Sequence, residues 1–251
     1  MSNYYDQAGY DIRFDWGADG TKALAPLSDI VIIVDMLSFS TCVDVGVSRG
    51  GAVLPFTWKG EKAQEYAKEN DALLAVRRGE EGISLSPPSL EMLPDDSRIV
   101  LPSPDGSTLT LLAQDHARTI AGSVRNRTAV AKHANQLGGT ITVIACGERW
   151  HHGEALRPAI EDQIGCGAII DKLTGRKSPE AQSAEAVFLS VQDKLPETLN
   201  TCASGIELIE KGYAEDVAYA SAIDVSTAVP VLIESTYRTR ISKLVTTNGH
   251  R

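Results

Sequence analysis

The chain has 251 residues, 43% hydrophobic and 23% charged, enough to bury a self-sufficient core and too apolar for a disordered or fibrous class. The formal net charge is −9 and no dense Lys/Arg run is interleaved with aromatics, so a nucleic-acid partner is not expected. An anionic ligand would need a local device: a metal ion, a few arginines or the free N–H groups of helix N-termini.

In chain order, Ile12, Phe14 and Trp16 alternate with Arg13 and Asp15 and predict a half-buried strand, followed by a Gly17 to Gly20 turn. The β-branched run from Ser28 to Asp35 reads as a strand buried on both faces. Hydroxyl caps at Ser38, Ser40 and Thr41 then open a helix that runs to about Arg49 and stops at Gly50-Gly51. Ala52 to Phe56 predicts a strand, Lys59 to Asn70 a charged helix and Ala72 to Val76 a further strand. Residues 79 to 97, rich in Gly, Ser, Pro and acids, predict a long loop. Strands are expected at Ile99 to Leu101, Thr119 to Gly122 and Thr140 to Cys146, with helices at Ser107 to Gln114 and Asn126 to Leu137. A loop carrying Trp150, His151 and His152 leads to Pro158, placed to open a helix to about Leu173. Residues 176 to 213 read as polar helices broken at Pro196, and 229 to 233 and 238 to 245 as closing strands.

Alternating elements of this kind predict an α/β chain in one domain, residues 1–251, with no internal repeat. The four cysteines, Cys42, Cys146, Cys166 and Cys202, lack CxxC pairing and are expected as buried free thiols. No run approaches the ~18 apolar residues of a membrane span and the N-terminus lacks an apolar signal region, so no membrane partner and a cytoplasmic location are expected.

In a layered α/β sheet, ligands gather beyond the carboxyl ends of the strands. Asp35 ends a strand beside Ser38, Ser40 and Thr41, where a carboxylate and helix N-terminal donors suit a hard cation and phosphate oxygens, although capping alone explains the same residues. Gly79-Glu80-Glu81-Gly82 presents acids on a turning backbone. In the stretch Asp105-Gly106-Ser107, the glycine permits close approach and the helix start forms an anion-binding concavity. Arg125-Asn126 offers a guanidinium at a helix start, and Cys146-Gly147-Glu148 after a strand joins a helix carrying Glu161 and Asp162, neighbouring acids about 100° apart. His151-His152 is a weaker acid/base or metal pair, read equally well as loop surface.

Taken in order, these pieces resemble the 2-phosphosulfolactate phosphatase family over about residues 28 to 175. The resemblance runs through Val34-Asp35-Met36-Leu37-Ser38-Phe39-Ser40-Thr41, Gly79-Glu80-Glu81-Gly82, Asp105-Gly106-Ser107, Ser123 to Val130, Ala145-Cys146-Gly147 and Ile160 to Ala168, with a weaker echo at Glu215-Asp216-Val217. It implies a three-layer α/β/α fold with a mixed, largely parallel central sheet, a homodimer, and Mg²⁺-dependent hydrolysis of a small phosphorylated hydroxy acid. On that resemblance Asp35, Glu80 and either Glu161 or Asp162 hold Mg²⁺, while Ser38, Ser40, Thr41, Gly106, Ser107, Arg125 and Asn126 position the phosphoryl group. Asp35 or Asp105 is alternatively a phosphoaspartate nucleophile. The chain departs from the family pattern at Ser38-Phe39, Glu81, Asp105 and Ser107, changes that remove positive charge and add negative charge around an anionic substrate. A phosphometabolite-binding protein without turnover is the alternative reading.

Overall fold

The computed structural model describes residues 3–57, 60–150, 153 and 155–239. The chain begins β1 (Ile12–Trp16), α1 (Gly17–Leu24), β2 (Ile30–Val34), α2 (Phe39–Ser48), β3 (Ala52–Phe56), α3 (Glu61–Glu69) and β4 (Leu73–Leu74). It continues α4 (Pro87–Leu90), β5 (Arg98–Pro102), α5 (Gly106–Ala113), β6 (Arg118–Ala121), α6 (Arg127–Leu137) and β7 (Ile141–Ala145). The last third holds β8 (Glu148–Arg149), β9 (Leu156–Arg157), α7 (Ile160–Ile170), α8 (Pro179–Val191), α9 (Leu195–Thr201), α10 (Ala203–Glu210), α11 (Ala214–Ser221), β10 (Pro230–Ile233) and β11 (Thr236–Thr239).

Nine strands form one mixed sheet in the order β1-β7-β2-β6-β10-β11-β3-β5-β4. The wing β1-β7-β2-β6 is parallel, as is the wing β3-β5-β4. The antiparallel hairpin β10–β11 joins them, pairing Val231 with Ile120 on one side and Tyr237 with Val53 on the other.

Period-two alternation explains the layers. Ile30, Ile32 and Val34 of β2 pack with Val130 of α6, Ile164 of α7 and Phe188 of α8. Val31 and Ile33 face the other way, against Leu109 and Ala113 of α5 and Ala18 of α1. Both faces of β2 are thus covered, which is why its five residues are all buried and all apolar. The fold is three-layer α/β/α with a largely parallel sheet, as the sequence resemblance implies.

Four local readings need correction. Residues 17–20 are not a turn but the first half of α1: Gly17 takes φ +57° at its start, and Gly20 lies so close to Asp15 that a Cβ would stand 2.8 Å from that side chain. The 79–97 segment is not loop throughout, because Pro87 starts the short helix α4. The stretch around Trp150 carries the ribbon β8–β9, with His151 and His152 outside the described residues. Helix α11 follows a segment read as ending the helices, whereas the break expected at Pro196 is present, with Pro196 in the first turn of α9. The expected closing strands are present as β10 and β11 and lie in the middle of the sheet. Residues 240–245 of the second expected strand lie outside the described residues. All four cysteines are free and buried.

Candidate active site

Two helix N-termini converge beside the end of β2. The Phe39 N–H, first of α2, donates to Asp35 Oδ1 at 3.0 Å. The Gly106 N–H, first of α5, also lies beside the Asp35 carboxylate and donates to Ser103 Oγ at 3.2 Å. This approach requires glycine: a Cβ at 106 would stand 2.2 Å from Cδ1 of the Phe39 ring. The loop between β2 and α2 is tied down by hydroxyls, with Ser40 Oγ donating to the Asp35 carbonyl at 2.8 Å and Thr41 Oγ1 to the Met36 carbonyl at 2.8 Å.

Acids gather at this point without enough positive charge to balance them. The carboxyl of Asp35 is pushed up to about 7, chiefly by burial and then by the charges of Asp105 and Glu161, against the pull of the Phe39 and Gly106 N–H groups. Glu148, on β8, is pushed up to about 8 by burial and by Asp35, Asp105 and Glu161, with Arg157 opposing. Glu161 is 2% exposed and its Oε2 is buried without a hydrogen-bond partner. Asp162 is raised well above the carboxylate range by burial, Asp35 and Glu161.

The residues expected from sequence separate into two groups. Asp35, Gly106, Asp105 and Glu161 come together, and Ser38 is buried at the start of α2, where its Oγ accepts from Arg78 Nη2 at 2.8 Å. Asp162 is a structural clasp, its Oδ1 accepting from the Met36 N–H at 2.7 Å and its Oδ2 from the Gly147 N–H at 2.8 Å. Ser107 is buried with its hydroxyl on the Leu101 carbonyl at 3.1 Å. Arg125 points to Asp44 at 2.9 Å and to the Tyr219 carbonyl at 3.0 Å, and Asn126 Oδ1 caps the Ser123 N–H at 2.9 Å. Glu80 is exposed in a turn, where its carboxylate accepts from the Arg77 N–H at 3.3 Å, and it is absent from the charges that act on Asp35.

Residues 19–235 match the family described as 2-phosphosulpholactate phosphatase. The chain belongs to that family. A protein named probable 2-phosphosulfolactate phosphatase from Carboxydothermus hydrogenoformans is 28% identical over 80% of this chain and 84% of its own length. Proteins of the same name from Gloeobacter violaceus (26% identical, 80% of this chain and 87% of its own) and Thermus thermophilus (27%, 81% and 88%) are similar over the same extent.

Two features of this phosphatase-family site went wholly or partly beyond the sequence. Arg78, just before the glycine-flanked loop, lies 2.9 Å from Asp216 Oδ2 and 5.3 Å from the centre of the Tyr213 ring. Asp216 in turn accepts from Ser86 Oγ at 2.5 Å. An Arg-Arg pair reads as surface charge, and only the packing of α11 on α4 brings Asp216 to it. Glu148 was visible as an acid after a strand; its position between Asp35 and Arg157 was not. Two hollows of about 320 Å³ each flank the site and Glu148 lines both, one with Arg78 and Tyr213, the other with Trp16, Asp105 and Arg149.

The donor set suits a hard cation. Carboxylate oxygens are the ligands Mg²⁺ takes, commonly one or two of them with waters and substrate phosphate completing the shell. Asp35 and the unpartnered Oε2 of Glu161 supply two in an acid-rich setting. Among the described residues no three His, Cys, Asp or Glu side chains converge as a ligand group, so a fit exists only in that sparse form. Among the described residues no helix is long and apolar enough to cross a membrane.

Proposed function

We propose that the chain is a Mg²⁺-dependent acid phosphatase that hydrolyses a small phosphorylated hydroxy acid, 2-phosphosulfolactate or a close analogue. The observation that carries this reading is the convergence of the α2 and α5 N-termini on Asp35, beside the acids Asp105 and Glu161. N-terminal N–H groups suit phosphoryl oxygens, and the acids call for a cation that would accompany a phosphate dianion. Family membership and the names of the relatives support the same chemistry.

In this reading Asp35 and Glu161 would hold Mg²⁺, which supplies charge neutralisation for the phosphoryl oxygens when bound. The chain's own groups do the rest. Gly106 and the start of α5 orient the phosphoryl group, and Ser38 offers a hydroxyl at the start of α2, fixed by Arg78. Glu148, buried beside the same acids, is the group placed to protonate the departing alkoxide oxygen. Asp162 holds the β2–α2 and β7–β8 loops in place through their backbone N–H groups. Of the two candidate nucleophilic aspartates, Asp105 is engaged by Arg149 at 3.3 Å and Asp35 would hold Mg²⁺, so water is the attacking group in this reading. A cytoplasmic homodimer is part of the same proposal.

The test is phosphate release from a panel of small phosphorylated acids with and without Mg²⁺, alongside Asp35→Asn. The expected result is Mg²⁺-dependent release that falls at least ~100-fold in Asp35→Asn, whose fold is retained. Binding of the same acids without release by the intact protein would instead identify a phosphometabolite-binding protein.

A further inference from the structure

We propose that the hollow between Arg78 and Lys211 is the subsite for the non-transferred acidic group of the substrate, a carboxylate or a sulfonate. This deepens the phosphatase reading and rests on it. The hollow holds about 320 Å³ and is lined by Arg78, Glu148, Ser204, Lys211 and Tyr213 among others. That volume is at the small end for ligand sites, sized for a short acid and not for a nucleotide or sugar phosphate.

Its position links it to the reacting centre. Glu148 forms part of its wall, and Arg78 donates to Ser38, the residue immediately before α2. A ligand with its phosphoryl group at the two helix N-termini therefore extends past Ser38 and Glu148 into the hollow. Charge distinguishes the hollow: the centre is dominated by acids, whereas this recess sets two cations of different character, Arg78 and Lys211, against two lining acids, Glu148 and Glu207.

Arg78 is the fixed one. Its side chain is 23% exposed, it is paired with Asp216, whose side chain is 3% exposed, and it is stacked on Tyr213. Its Nη2 is shared between Ser38 Oγ and Asp216 Oδ2, which fixes the guanidinium plane at the wall of the hollow. Lys211 is the exchangeable one. It pairs with Glu207 at 2.5 Å one turn away on the end of α10, with side chains 59% and 43% exposed. Such solvent-screened i,i+4 pairs are weak, and a ligand carboxylate takes the place of Glu207 readily. Ser204 Oγ accepts from Arg157 at 3.0 Å, which leaves its own hydrogen to donate. The arrangement also locates substitutes for the positive charge that the family pattern carries near Ser38-Phe39 and Glu81.

The experiment compares 2-phosphoglycerate with glycerol 2-phosphate, which differ only in a carboxylate against a hydroxymethyl group. Arg78 is part of a buried ion pair, so the test uses Lys211, where substitution leaves the core untouched. We expect the ratio of kcat/KM for the acid to that for the neutral ester to fall ~fivefold in Lys211→Met and to recover in Lys211→Arg. An unchanged ratio overturns the subsite. Calorimetric titration of both compounds into Asp35→Asn, with and without Lys211→Met, measures the same preference without turnover. If no variant or wild-type protein releases phosphate, a titration preference for the acid that is lost with Lys211→Met still supports the subsite while the phosphatase reading fails. Equal affinities for the two compounds would reject it.

Discussion

Gly106 shows what one missing methyl group does in this protein. With a Cβ only 2.2 Å from the Phe39 ring, Gly106→Ala must displace either α5 or the start of α2. Overpacking of this kind costs about 1–3 kcal/mol, so urea unfolding should show a loss in that range and phosphate release should fall more than ~10-fold as the two N-termini separate. Wild-type values in both would mean that the helices yield freely and that their approach is unimportant. Reading the glycine as a close-approach position needed only its place between strand and helix. The neighbouring hydroxyls and acids were less legible. Whether Asp162 met a cation or two backbone N–H groups depended on where residues 36 and 147 came to lie, and Arg125 was drawn away by Asp44, a buried acid on the adjacent helix.

At the scale of elements, hydrophobic period carried most of the prediction, because the strands of a parallel wing are buried on both faces and read as continuous apolar runs. The β10–β11 hairpin was foreseen as strands but not as the bridge between the wings. Its turn, Glu234-Ser235, takes positive φ at both positions without the Asn-Gly that usually announces such a turn. Its insertion is secured by contacts across the chain, including the 2.8 Å hydroxyl pair of Tyr237 and Thr110 and the edge-on packing of Tyr237 against Phe39. Tyr237→Phe removes the hydrogen bond but keeps the ring, and should cost about 1 kcal/mol with an unchanged m-value in urea unfolding. No loss would show that the hydroxyl is dispensable to the hairpin.

Over the whole molecule, the acid cluster sets a pH dependence with a definite sign. Asp35 and Glu148 have folded-state pKa values of about 7 and about 8, above those of unfolded carboxyls. The folded state therefore holds these protons more tightly, and their contribution is complete below about pH 4 and is lost as the pH rises through 7 and 8. In chelator-treated protein the melting temperature should fall between pH 5.5 and 8.5, the fall should shrink in Asp35→Asn, and Mg²⁺ at pH 8.5 should restore several degrees. A melting temperature that rises with pH over that interval would contradict the assignment of these two groups. The sequence by itself determined the α/β class and most strand and helix positions, because those features follow from local periodicity, helix starts and strand ends; it offered Asp35, Gly106 and the pair Glu161 and Asp162 as candidates without choosing within the pair. The tertiary structure alone decided the central place of the hairpin, the clasp role of Asp162 and the recess between Arg78 and Lys211. Each of these joins residues far apart in the chain, and their relative placement depends on how the layers pack, which local pattern does not encode.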